Sequence, residues 1–232
     1  MINYKEERLK EIQAMVLRHG TGENLDDRLC IMQAVDYVAS GSLSDYPSCA
    51  CPFLTSYAIG LNDCWNEKDR QLLKPFIEKL IGTRDNETIV RAHLVIHRLI
   101  TVILPLLTDH LKMPYDSAKL RSFQPGEWLA MKDFCNDLRP RIRKDAYAAA
   151  AADAYASAAA YAAADAAAAA AAAAYAAADI YAYAHSRSTF FLGSTTMSLA
   201  AMYAYAAAGA LRDKTRDESL ESLRLACKIR GQ

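Results

Sequence analysis

Apolar residues along this chain recur every three or four positions almost throughout, the spacing of one face of an α-helix. In "YKEERLKEIQAMVLRHG", Leu9, Ile12, Met15 and Val16 fall on one side, and Gly20 closes the run. A second helix is expected over about Asp26 to Ala39, ended by the turn-rich "SGSLSDYPSCACP". After Pro52, "FLTSYAIGLNDCW" reads as helix, and Asn66 has the character of an N-cap with Asp69 three residues on. Pro75 splits the next segment into two short helices, and Gly82 closes the second. "NETIVRAHLVIHRLITVILPLL" is the most apolar helix and the expected centre of the core, with Pro105 kinking or loosening its end. "MPYDSAKLRSFQPGEW" reads as a connection. Pro125 suits the first turn of a helix through Leu138, and Pro140 marks a bend or a new start.

Beyond Asp145 the pattern changes. Of the 39 residues from 146 to 184, 28 are alanine, the residue of highest helix propensity. Some forty helical residues make a rod of roughly 60 Å. "HSRSTFFLGST" interrupts it, and a last helix is expected from near Thr195 through "LAAMYAYAAAGAL" to the amphipathic "DESLESLRLACKI". Nothing reads as a strand pair. The expected fold is therefore all-α, with a compact helical head over 1–122 and an alanine-rich antiparallel helical hairpin, coiled-coil-like, over 123–232.

The tract carries a period. "YAAAD" occurs at 161–165 and again at 175–179, and Tyr147, Tyr161 and Tyr175 are two heptads apart, the mark of a left-handed supercoil. On a helical wheel Tyr147, Asp153, Ser157, Tyr161, Asp165, Tyr175, Asp179 and Tyr183 share about one half. Tyr155 lies near one margin, and Asp145 and Tyr181 lie on the other side at the ends, so the middle of the rod has a face that is alanine only. A methyl-only face lets helices approach to the low end of the usual separation of about 8–10 Å. The stretch 200–210 can fold back over part of that face, and a second copy of the chain covers the remainder, so a homodimer or higher oligomer is expected. The Tyr161–Asp165 and Tyr175–Asp179 pairs are neighbours on the helix surface, with Tyr183 four beyond Asp179. This row reads either as a solvated face or as a groove for a ligand or partner helix, since tyrosine joins an apolar body to a polar tip.

Charge narrows the partners. Lys+Arg and Asp+Glu are 27 each, so no net field draws the chain to nucleic acid or to an anionic membrane. "MINYKEERLK" has no signal-peptide character, "LITVILPLL" is too short to span a bilayer, and Asp153, Asp165 and Asp179 would be costly in lipid. A cytoplasmic protein with no membrane partner is expected, and the six cysteines read as free thiols.

Candidate chemistry is sparse. His93 and His97 share a helix face, and with Cys49 and Cys51 they offer imidazole and thiolate donors for zinc; the alternative is that all four are ordinary packed residues. Arg139, Arg141, Arg143 and Lys144 precede the rod, as a solvated junction or as phosphate contacts for a nucleotide whose base stacks on the tyrosines. No phosphate-binding glycine loop, nucleophile elbow or His-Glu-x-x-His motif is present, which favours a non-enzymatic protein without a cofactor.

"RLCIMQAVDYVASGSLSDYPSCACP" (Arg28 to Pro52) and "LLKPFIEKLIGT" (Leu72 to Thr83) resemble a pattern in uncharacterised bacterial and phage proteins, many with a long alanine-rich tail. Arg28, Cys30, Met32, Tyr37, Gly41, Asp45, Pro47, Cys49, Cys51 and Pro52 match it, while Ser42–Leu43 replaces the usual Pro–Trp. The resemblance implies the helical fold and a phage setting, and supplies no mechanism. The leading reading is an oligomeric binding protein that sequesters a host protein or signalling molecule as an anti-defence factor. Two other readings stay open: a nucleotide-binding sponge, and a metal protein or enzyme built on His93, His97, Cys49 and Cys51.

Overall fold

The computed structural model describes residues 4–20, 29–150 and 209–231. Among the described residues every regular element is helical and no strand occurs. The chain divides into two compact units, Met1–Arg91 with Leu223–Gln232, and Ala92–Ser222. The domain boundary expected at 122–123 falls inside the second of these. The expected antiparallel hairpin beyond Ala150, with its tyrosine and aspartate row, lies outside the described residues.

In the first unit, helix α1 spans Tyr4–Ala14 and stops short of Gly20. The reason is a side chain. Leu17 N–H donates to Gln71 Oε1 and Leu17 C=O accepts from Gln71 Nε2, both at 2.9 Å, so an amide from elsewhere supplies the bonds another helical turn would have made. Leu17 consequently turns inward at 2% exposure, and Val16, the residue expected to be buried, is 43% exposed.

Helix α2 spans Ile31–Ser40 and buries Ile31, Met32, Ala34, Val35 and Val38. It ends at Gly41, whose φ of 87° only glycine adopts freely. Helix α3 (Pro52–Cys64) has proline at its first position, where no N–H is needed. Helix α4 (Glu67–Arg70) is capped as expected, Asn66 Oδ1 accepting from Asp69 N–H at 2.9 Å. A 3₁₀ segment, Gln71–Phe76, holds Pro75 and leads into α5 (Ile77–Leu80).

The apolar stretch forms one helical run in three parts: α6 (Thr88–Arg98), a π-helical turn (Leu99–Ile103) and α7 (Leu104–His110). Pro105 has no N–H for Thr101 C=O, and its ring crowds that carbonyl. The π turn, in which Leu104 N–H reaches back five residues to Leu99 C=O, widens the helix just where the ring arrives. The run of 23 residues is long and apolar enough to cross a membrane by length and composition, although the expectation rested on nine residues of it. Half of its most apolar window is buried inside the protein, at Ala92, Val95, Ile96, Leu99, Ile100, Ile103, Leu104 and Leu107, which is the pattern of a core helix.

The segment expected as a connection contains helix α8, Pro114–Ser122. Pro114 sits at its first position and Asp116 in its first turn, both helix-start residues. It packs on α7, with Thr108 Oγ1 and Ser117 Oγ 2.7 Å apart. Pro125 belongs to a tight turn, Gln124 C=O accepting from Glu127 N–H at 3.2 Å around Gly126 at φ 99°, and α9 starts only at Trp128. It continues through Pro140 to Ala150. The last helix, α10, is described over Gly209–Lys228; its expected start near Thr195 lies outside the described residues.

Candidate functional site

The two stretches that carry the sequence resemblance meet in the first unit. Cys30 is the N-cap of α2: its Sγ accepts from Gln33 N–H, and Gln33 Oε1 accepts from Cys30 N–H at 3.2 Å. That is a capping box with a thiol in place of the usual hydroxyl. The same thiol donates to Asp45 Oδ1 at 3.2 Å, which ties the "SDYP" turn to the start of α2. Burial, and then the Asp45 carboxylate, push the Cys30 thiol up to about 12, so it stays protonated and available as a donor.

The Cys-x-Cys turn is held by the segment after α5. Cys49 C=O accepts from Gly82 N–H at 2.9 Å and from Arg84 N–H at 3.4 Å. Cys51 N–H donates to Thr83 Oγ1 at 2.8 Å, and that hydroxyl donates onward to Leu80 C=O at 2.7 Å. Thr83 is fully buried, so each of its polar atoms needs a partner, and each has one.

At the centre lies Arg91, with a fully buried side chain. Its Nη1 donates to Thr83 C=O at 2.8 Å and to Asp85 Oδ1 at 2.5 Å. Nη2 donates to Asp85 Oδ2 at 2.7 Å and to Ile229 C=O at 2.6 Å. Asp85 Oδ2 also accepts from Gly231 N–H at 3.1 Å, and Arg230 Nη2 donates to Lys79 C=O at 3.0 Å. The bidentate guanidinium, first of all, holds the Asp85 carboxyl far below the usual carboxylate range. This cluster joins the Cys-x-Cys turn, α6 and the C-terminal segment within one unit.

Sequence reasoning did not single out Arg91, Asp85 or Thr83. A signal was present: Arg91 continues the row of Val95 and Leu99, so a cation stands on the face that packs inward. Such a residue demands a buried partner.

The residues singled out from the sequence are distributed otherwise. Tyr161, Asp165, Tyr175, Asp179 and Tyr183 lie outside the described residues. Arg139, Arg143, Lys144 and Tyr147 fall in α9, with side chains outside the described set. Arg141 is described, and its charge is engaged: Nη1 meets the buried Asp116 at 2.6 Å and Nη2 meets Asp137 at 3.2 Å. His93 packs its ring on Trp128, centroids 4.8 Å apart, and His97 Nε2 lies 3.1 Å from Phe123 C=O. Both belong to the second unit, whereas Cys49 and Cys51 belong to the first. Among the described residues no group of three or more His, Cys, Asp or Glu side chains is placed to hold a metal ion. Cys30, Cys49, Cys51, Cys64, Cys135 and Cys227 are all free thiols, as the sequence reading expects.

Compared with protein-family models, curated proteins and solved structures, the chain gives no match to any of them.

Proposed function

We propose that this chain is a non-enzymatic helical protein of the cytoplasm that works by binding, as a homodimer or higher oligomer. The alanine tract is its assembly element. What carries the reading is the alanine-only face in the middle of the tract, with 28 alanines among the 39 residues from 146 to 184. α9 supports it: the helix crosses Pro140 and runs on into the first alanines, to Ala150. A helix with one uncovered methyl face associates, because closing two such faces removes apolar surface from water at little cost in side-chain entropy. The expected hairpin and its heptad-spaced tyrosines supply the geometry.

The bound partner, in this reading, is a host protein or signalling molecule, and the resemblance to phage proteins is the ground for it. Arg141, one of the four cations on which a nucleotide sponge would depend, is already paired with Asp116 and Asp137, so nothing favours that second reading.

Light scattering coupled to gel filtration tests the assembly. The expected mass is at least twice 25.5 kDa at micromolar concentration. A mass of one chain across that range overturns the proposal.

A further inference from the structure

We draw no further inference here: the strongest candidate, the surface patch at the corner between α7 and α8 where Tyr115 is exposed beside the left-handed Lys112, is an unpartnered apolar surface, and nothing in the structure shows what covers it.

Discussion

Arg91 Nη2 donates to Ile229 C=O at 2.6 Å, although 138 residues of chain separate the two. The first unit is thus completed by the far end of the chain, and the whole of the second unit lies between its two parts in sequence. A single buried cation gathers the Cys-x-Cys turn through Thr83, the segment leading into α6 through Asp85, and the C-terminal segment.

Removing one partner of that ion pair should therefore be costly. Asp85 is only 22% exposed and Arg91 not at all, so Asp85→Ala leaves a buried guanidinium with no counter-charge. Such losses run to about 3–5 kcal/mol. Urea unfolding followed by circular dichroism is expected to show a drop toward the lower end of that range, since part of Asp85 remains in contact with water. A loss under about 1 kcal/mol would mean the guanidinium finds water instead.

The same pair sets an acid limit. The folded-state pKa of Asp85 is depressed, chiefly by Arg91, so its contribution is present above the unfolded value and lost as pH falls toward the folded one. With an unfolded aspartate near about 3.9, this part of the stability should be flat above about pH 5 and decline below about pH 4. Asp109, lowered by Arg121, adds in the same direction. Melting temperatures from pH 3 to pH 7 check this, and Asp85→Ala should flatten the acid side of the curve.

Much of the head was readable in the sequence, for local reasons. Asn66 caps α4, Gly41 and Gly82 adopt left-handed backbone, and Pro52 opens α3, each within a turn of the expected place. Those features depend on residues three or four positions apart. The failures share the opposite cause. α1 ends early because Gln71 supplies its bonds from 54 residues away, and the Arg91 cluster spans 138. α8 lies in the segment expected as a connection, and Pro114 stands at the one helical position that favours proline.

Cys30 separates capping from packing. Cys30→Ser preserves a side-chain acceptor for Gln33 N–H and a donor for Asp45, whereas Cys30→Ala deletes both. The alanine variant should lose about 1 kcal/mol more than the serine variant, the ordinary value of an N-cap. Equal stability of the two in thermal melts would show that the thiol acts only as a small apolar group.

Gly41 carries a double constraint. Its φ of 87° disfavours any side chain, and a Cβ there would lie 2.8 Å from Arg8 Nη2. Arg8 sits over the Tyr37 ring and is a flexible side chain able to move aside. The backbone term then dominates, and Gly41→Ala is expected to cost about 1–2 kcal/mol. An unchanged melting temperature would place α2's end under other control.

The assembly reading can be tested without disturbing the head. Ala163, Ala167, Ala170 and Ala174 recur at spacings of four and three on the methyl-only side of the tract. Ala167→Glu with Ala170→Glu keeps helix propensity nearly intact, because glutamate is also a good helix former. In the assembly reading it nonetheless places two charges where a neighbouring backbone comes close, and burying unpaired carboxylates there is strongly unfavourable. The double variant is expected to fall to the mass of one chain in light scattering, with its far-UV helical signal largely retained. Placing the same two substitutions at Tyr161 and Tyr175, on the opposite side, should leave the mass unchanged. If both pairs dissociate the protein, the tyrosine row is part of the interface; if neither does, the alanine face is not what holds the copies together.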